Sequence, residues 1–210
     1  MEFFSILIVL GVIIGSMMLH ELAHGAVAYA LGDDTAKENG RLTLNPIKHL
    51  DPFMSILLPM MLFLIGAPVF GGAKPVPIDS RNFKHRERDM ALVGIAGPLT
   101  NFLIAFVGFL IGYFTGWIDN EGYLGIFFFE LVVVNLGFGV FNMLPIPPLD
   151  GSRLLYAIAP DGVRNIMLGM ERYGIIVIYA LIFILGGAFS ALMMNAMNGI
   201  LQFFYWIVGA

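Results

Sequence analysis

The sequence has no cysteine, and this absence excludes both disulfide bonds and thiolate metal sites. Charge is also scarce: only 12% of the 210 residues are Asp, Glu, Lys or Arg, and no basic run is long enough to suggest nucleic-acid binding. Apolar residues make up 59% of the chain, and the mean hydropathy is +0.86. This composition is typical of a polytopic protein in a lipid bilayer and not of a soluble domain.

Long apolar segments are the main feature of the chain, and five of them approach the ~20 residues that cross a hydrocarbon core of about 30 Å. They cover residues 3–31, 90–115, 123–144, 169–185 and 189–208. The first lacks a basic leader and a small-residue cleavage site, so we expect a retained helix and not a signal peptide. A sixth run, residues 53–65, is short for a span and contains Pro59, which favours a re-entrant segment. The sequence therefore predicts an all-α membrane protein, a polytopic bundle of about five to six transmembrane helices with a short re-entrant or extended segment.

The distribution of charge in the loops predicts an orientation. Residues 73–88 are rich in Lys and Arg, whereas the turn at 116–122 carries only Asp119 and Glu121. The positive-inside rule places the basic loop in the cytoplasm and the acidic turn outside, with the amino terminus also outside. A full span at 53–65 would put one basic loop outside, so the re-entrant alternative is preferred.

The polar stretch at 32–51 and the proline-rich stretch at 73–78 are predicted to be extended. Residues 41–44 alternate polar and apolar side chains before Asn45-Pro46, which favours a short strand or hairpin. The sequence "AKPVPI" at 73–78 is held extended by its prolines and can pair at an edge. No internal repeat or soluble segment is visible, so residues 1–210 are expected to form one integral-membrane domain.

One polar motif lies inside the first apolar segment. His20-Glu21-Leu22-Ala23-His24 places two imidazoles four residues apart, on one face of a helix, where both can bind one ion. Glu21 projects beside them and can act as a general base. The alternative is a helix whose polar residues simply face a loop or cavity. Because His20 lies roughly 25 Å along a helix that begins at Phe3, at ~1.5 Å per residue, the motif sits within the membrane and favours a functional site.

A catalytic zinc has three protein ligands and an open position, so a third ligand is needed. Glu38 lies in a polar loop, and Glu130 fits an interfacial or water-facing side chain. Asp150 is the better candidate, because it follows an apolar run at the membrane depth expected for the histidines. Prolines at 145, 147 and 148 fix the backbone before it. Its alternative role is the N-cap of the next helix.

Three motifs in this order resemble the site-2 protease family of intramembrane zinc metalloproteases. They are "HELAH", "AGPLTN" at 96–101 and "NMLPIPPLDG" at 142–151, and "GRLTLNPIKHLDP" resembles the compact prokaryotic branch. The resemblance covers about residues 15–155, and we expect 160–210 to add transmembrane helices. It implies a multi-pass protein of the cell membrane. The loop charges place its active site towards the cytoplasmic side, near the re-entrant segment. The expected activity is cleavage of a peptide bond in or next to a transmembrane segment of a membrane-protein substrate.

Carried over residue by residue, the resemblance implies that His20, His24 and Asp150 bind one Zn²⁺ per chain. It makes Glu21 the catalytic base. Asn142 matches a family asparagine that orients the substrate or stabilises the oxyanion, and its alternative is a hydrogen bond that packs helices.

The remaining polar candidates are weaker. Gly97 and Asn101, in the second motif, are expected to serve close helix packing, with a role for Asn101 at the site left open. Asn45 fits a turn beside Pro46 better than a substrate contact, and His49 and His85, in polar loops, are not expected to be ligands.

Two other classes of function stay open. A metal-ion or proton transporter can also place His, Glu and Asp inside a helix bundle. A non-catalytic membrane interaction protein can use apolar helices to bind partners. Substrate identity and oligomeric state are not predicted.

Overall fold

The computed structural model describes residues 3–64 and 72–210 of the chain. Its helices in chain order are α1 (Phe3–Ala30), α2 (Thr35–Glu38), α3 (Leu58–Leu64), α4 (Arg86–Thr115), α5 (Tyr123–Asn142), α6 (Gly151–Ile158), α7 (Asp161–Arg172) and α8 (Gly174–Val208). Two 3₁₀ turns, Pro46–His49 and Ser80–Asn82, and a π-helical segment, Pro52–Leu57, complete the regular structure. No β-strand occurs in the described residues, and the predicted all-α class is confirmed.

Four of the described helices are long and apolar enough to cross a membrane: α1, α4, α5 and the stretch Ile176–Val208 of α8. Helix α8 is broken at Gly186, whose φ of 23° and ψ of −98° are not helical. This break falls between the predicted segments 169–185 and 189–208, because the Gly186-Gly187 pair weakens the helix there. The two predicted segments are thus parts of one kinked helix, and residues 169–172 belong to α7 instead.

Helix α4 is the centre of the bundle and packs against α1, α5 and α6, while α8 lies on α5. Ala105, Phe109, Val132, Leu136 and Phe204 form the largest apolar core between α4, α5 and α8. The outer faces of the same helices expose large apolar side chains, and Phe114 is 72% exposed. An apolar surface this extensive requires lipid around it.

The start of the short helical segment Pro52–Leu64 is hydrogen-bonded to Gly72, which follows the segment in the chain. The Gly72 N–H donates to the Met54 carbonyl at 3.1 Å, and the Ser55 hydroxyl donates to the Gly72 carbonyl at 2.6 Å. The chain that leaves at Met54 has therefore returned to the same level by Gly72. This geometry supports a re-entrant segment and not a span. Ile65, the predicted end of the run, lies outside the described residues.

The strand or hairpin predicted for residues 41–44 is wrong, and the stretch consists of bends. Single hydrogen bonds take the place of a strand ladder. Arg41 Nη2 donates to the Lys74 carbonyl at 2.6 Å, and His49 Nε2 lies 2.9 Å from the Thr43 carbonyl. The Lys74 N–H in turn donates to the His49 carbonyl at 2.8 Å. Residues 73–78 have no regular secondary structure, and these hydrogen bonds hold them beside the bends.

Candidate metal centre

Helix α1 presents His20 and His24 on one buried face, as their spacing of four predicts. Their Nε2 atoms lie 3.0 Å apart, and the residues are 7% and 6% exposed. Each ring is held from behind by α4. His24 Nδ1 lies 2.7 Å from the Val93 carbonyl oxygen, and His20 Nδ1 lies 2.6 Å from Asn101 Oδ1. Both Nε2 atoms are therefore directed at the same point.

Asp150 completes this cluster from the loop between α5 and α6. Its Oδ2 lies 3.0 Å from His20 Nε2 and 3.3 Å from His24 Nε2. The alternative role as helix cap is not seen, because the Asp150 side chain makes no capping bond to α6. Within 3–64 and 72–210, these are the only three His, Cys, Asp or Glu residues grouped closely enough to hold a metal ion. Glu38 and Glu130, the other carboxylates considered, are not part of the group.

Two glycines allow the Asp150 loop to approach the helices. A Cβ on Gly151 would lie 2.2 Å from the Met143 carbonyl oxygen, so only glycine permits the tight turn that follows the aspartate. A Cβ on Gly94 would lie 2.9 Å from the Asp150 carbonyl oxygen, which shows how closely α4 supports this loop. The peptide bond between Pro147 and Pro148 is cis.

The cluster has the features of a metal site. Asp150 Oδ2 is buried and accepts no hydrogen bond from any described residue, so a lone pair is left for another ligand. Two imidazole nitrogens and one carboxylate oxygen form a donor set typical of zinc. A Cβ on Gly97 would lie 2.4 Å from His24 Nε2, so the absence of a side chain there leaves room beside both rings. The close approach expected of Gly97 is therefore present, and it occurs at the cluster of His20, His24 and Asp150.

Glu21 lies next to the cluster but outside it. Its Oε2 accepts a hydrogen bond from the Val76 N–H at 2.8 Å, which ties the carboxylate to the proline-rich stretch 73–78. A cavity of 460 Å³ opens beside these residues, and its lining includes His20, Glu21, Pro75, Asn142 and Asp150. Because Glu21 borders the same space as the cluster without joining it, its carboxylate is free to exchange a proton with a molecule bound there.

Asn142 is the last residue of α5 and lines the same cavity. Its Nδ2 donates to the Phe138 carbonyl one turn earlier at 3.1 Å. Asn142 thus borders the site, as a role in orienting the substrate or stabilising the oxyanion requires. Its amide is bonded within its own helix, so a structural role in hydrogen bonding is also consistent with the structure.

A line of buried amides behind His20 was not anticipated in full. Asn101 Nδ2 donates to Asn135 Oδ1 at 2.8 Å, and Asn135 Nδ2 donates to Ser16 Oγ at 2.8 Å. Asn101 and Asn135 are both 0% exposed. Sequence reasoning left the role of Asn101 open and missed Asn135 and Ser16. Two signals were present: Asn135 interrupts the apolar run "LVVVNLGF", and Ser16 precedes His20 by one helical turn.

The other polar candidates have structural roles. Asn45 Oδ1 accepts from the Ile47 N–H at 3.1 Å and caps the turn beside Pro46, as expected. His49 is 2% exposed and bonds to a backbone carbonyl, and His85 precedes α4. Neither histidine belongs to the candidate metal-binding group.

Comparisons with known proteins identify relatives of this chain. "Putative zinc metalloprotease YwhC" of Bacillus subtilis (strain 168) is 44% identical over 181 residues, which are 80% of this chain and 77% of that protein. "Putative zinc metalloprotease Rip2" of Mycolicibacterium smegmatis is 29% identical over 170 residues, 80% of this chain and 63% of the relative. "Zinc metalloprotease MJ0392" of Methanocaldococcus jannaschii is 41% identical over 66 residues, 31% of this chain and 19% of the relative. No protein-family model matches the chain, and no solved structure matches it significantly.

Proposed function

The chain belongs to the site-2 protease family and is a multi-pass membrane zinc metalloprotease. From this premise we propose that it cuts a peptide bond in or next to a transmembrane segment of a membrane-protein substrate. One observation carries the proposal. The cluster of His20, His24 and Asp150 lies with Glu21 at a cavity between helices whose outer faces are apolar. A peptidase site between such helices can reach the transmembrane segments of other proteins in the same bilayer.

The proposed ligands of one Zn²⁺ per chain are His20 Nε2, His24 Nε2 and the Asp150 carboxylate. When bound, zinc polarises the scissile carbonyl and makes a neighbouring water molecule more acidic. The protein holds the ligands ready for this, because α4 contacts both imidazoles through their Nδ1 atoms and also packs closely against the Asp150 backbone at Gly94. Such fixed ligands lower the entropy lost on binding the ion.

Glu21 is the proposed general base. Its carboxylate takes the proton from the attacking water and later gives that proton to the leaving amine, so the proton balance of hydrolysis closes on one side chain. The Val76 N–H holds Oε2, which leaves the other carboxylate oxygen for this exchange. The Asn142 amide is proposed to leave the Phe138 carbonyl and donate to the developing oxyanion, where a neutral donor in a low-dielectric site is most effective.

The proline-rich stretch 73–78 is proposed to receive the substrate. A transmembrane helix has its amides bonded internally, so it must unwind locally before its backbone can be attacked. Ala73 and Pro75 line the cavity beside Glu21, and an unwound segment can add there as a strand. The stretch that holds the base through the Val76 N–H thereby also borders the proposed path of the substrate.

The proposed location is the cell membrane, with the site towards the cytoplasm. The basic residues of 73–88 lie in the loop before α4 and in the first turn of that helix, and the acidic turn at 116–122 lies at its far end. The positive-inside rule then places the cluster near the cytoplasmic face.

The test is cleavage of a membrane-spanning peptide by purified protein in liposomes, with zinc content measured on the same samples. Glu21→Gln should keep its zinc and lose about 10²–10⁴-fold in rate, because it removes the base but no ligand. Asp150→Asn should lose both zinc and cleavage. Glu38→Gln is the matched control, since Glu38 is an exposed carboxylate outside the cluster, and it should behave as wild type. Undiminished cleavage by Glu21→Gln contradicts the assigned base, and zinc flux across the liposome without cleavage favours the transporter alternative.

A further inference from the structure

A continuous line of hydrogen bonds leads from the candidate metal ligand His20 to the backbone of α5. It passes through Asn101 on α4 and Asn135 on α5, and the Asn135 amide nitrogen lies 2.8 Å from the Leu131 carbonyl oxygen. We propose that Asn101 and Asn135 are positioning residues, and that the Leu131 carbonyl fixes through them which nitrogen of His20 carries the proton. This inference rests on the proposed function, in which His20 binds zinc.

The Leu131 carbonyl, at the end of the hydrogen-bonded line farthest from His20, determines which group is the donor in each bond of the line. A backbone carbonyl only accepts hydrogen bonds, so the Asn135 atom that faces Leu131 must be the amide nitrogen. The Asn135 oxygen is then turned the other way, towards Asn101. Ser16 does not compete with this choice, because a hydroxyl can either donate or accept and so tolerates both amide orientations.

The same reasoning carries the direction to His20. An amide oxygen also only accepts, so Asn101 must present its nitrogen to Asn135 Oδ1. The Asn101 oxygen is left 2.6 Å from His20 Nδ1, and Nδ1 must carry the proton. The neutral ring then has its lone pair on Nε2, the atom that lies 3.0 Å from Asp150 Oδ2.

His24 reaches the same state by a shorter route. Its Nδ1 lies 2.7 Å from the Val93 carbonyl oxygen, which again only accepts, so His24 also has its lone pair on Nε2. Both imidazoles therefore face the cluster as acceptors, and each is directed by one backbone carbonyl. For His24 the carbonyl is in contact, and for His20 it acts through two amides.

The burial of these amides makes their orientation firm. Asn101 and Asn135 are 0% exposed and Ser16 is 3% exposed, so a reversed amide would face donor against donor with no water to satisfy it. An outer partner of this kind typically changes metal affinity by about 10–100-fold when it is removed. Buried amides in a membrane bundle are costly, and orienting a ligand is a reason to retain them.

The test is a double-mutant cycle read out as zinc affinity, measured by competition with a chromophoric chelator on purified, monodisperse protein. Asn135→Leu should weaken zinc binding about tenfold, because the freed Asn101 amide can then turn its nitrogen to His20. Asn101→Asp should bind zinc about as well as wild type, since both oxygens of the carboxylate only accept and either one can face His20 Nδ1. In that Asp background, the added Asn135→Leu change should have less than about a twofold effect, because no orientation remains to be set.

Two controls separate orientation from packing. Ser16→Ala should leave zinc affinity unchanged, because the Leu131 carbonyl still directs Asn135. Thr100→Val is the matched control on α4, since the Thr100 hydroxyl donates only to the Ala96 carbonyl of its own helix at 2.9 Å. It should also bind zinc as wild type does.

The outcomes are distinct. A strong effect of Asn135→Leu in wild type and none in the Asp background supports the inference. An equal loss in both backgrounds, or no loss in either, overturns it while leaving the protease proposal intact. If Asn135→Leu does not fold, Asn101→Leu decides, because it must bind zinc at least about tenfold more weakly than Asn101→Asp, and equal affinities overturn the inference. A wild-type protein that binds no zinc overturns the proposed function and this inference together.

Discussion

Replacing Gly97 with alanine places a methyl group against His20 and His24, two of the proposed zinc ligands. The new Cβ would lie 2.4 Å from His24 Nε2 and 2.6 Å from His20 Nε2, whereas ordinary contact begins at 3.4 Å. The rings or α4 must therefore move by 0.8–1.0 Å to accept it. Both rings are anchored behind by α4 itself, through Val93 and Asn101, so they cannot retreat without breaking those bonds.

A displacement of about 1 Å at reacting groups costs roughly 100-fold in rate, and we expect Gly97→Ala to lose at least that much cleavage activity. Zinc affinity should fall by about 10–100-fold, because the atoms that the methyl group meets are the proposed ligands. The assay is zinc content and chelator competition on purified protein, followed by cleavage of a membrane-spanning peptide in liposomes.

Gly15→Ala is the matched control, because Gly15 lies on α1 and a Cβ there meets nothing within 4 Å. Alanine stabilises a helix by roughly 0.5–1 kcal/mol relative to glycine, so this variant should be as active as wild type and at least as stable. Wild-type zinc affinity and cleavage in Gly97→Ala would refute the reasoning, since the packing of α4 against the cluster would then not be needed.

Three further changes test the surroundings of the site. Val76→Pro removes the N–H that holds Glu21, so cleavage should fall about tenfold while zinc stays bound. Gly151→Ala places a Cβ 2.2 Å from the Met143 carbonyl oxygen, so the turn after the third proposed ligand must open and zinc content should fall. At Asp33, burial favours a higher pKa, but hydrogen bonds from Thr35, Asn82 and the Asp79 N–H outweigh it and hold the pKa below its ordinary value of 3.8. Asp33 therefore stabilises the fold above pH 3.8, and this contribution should disappear as the pH falls through the lowered pKa, which thermal unfolding of wild type against Asp33→Asn measures.

Each of these changes has a control and a contradicting result. Val76→Ala keeps the N–H and should cleave as wild type does, so equal losses in both valine variants would assign the effect to the side chain. Gly162→Ala meets no neighbour within 4 Å and should keep its zinc, and full zinc in Gly151→Ala would show that the loop can adapt. For Asp33, a difference in unfolding temperature that does not shrink on acidification would contradict the assigned pKa.

The spacing of residues along the chain was enough to predict the helix face of the two histidines and the all-α class. The spacing of four residues in the motif fixes His20 and His24 on one helix face wherever that helix packs, because helical geometry depends only on near neighbours. The all-α class follows equally directly, since uninterrupted apolar runs must satisfy their backbone groups internally in a bilayer. The same logic failed at residues 41–44, where alternation predicted a strand. The buried Arg41 and His49 bond to single backbone carbonyls of distant or turn residues instead.

Only the tertiary structure showed which residues from other parts of the chain contact these helices. The sequence ranked Asp150 above Glu38 and Glu130, but the close approach of α4 to α1 and to the Asp150 loop is what brings its carboxylate to both imidazoles. The return of the chain from Met54 to Gly72 is likewise a contact between residues far apart in the chain. The orientation of His20 depends on a carbonyl of α5 that no spacing rule connects to it. Contacts of this kind depend on how separate helices pack, and helix packing is set by the shapes of whole faces and not by the order of residues along any one of them.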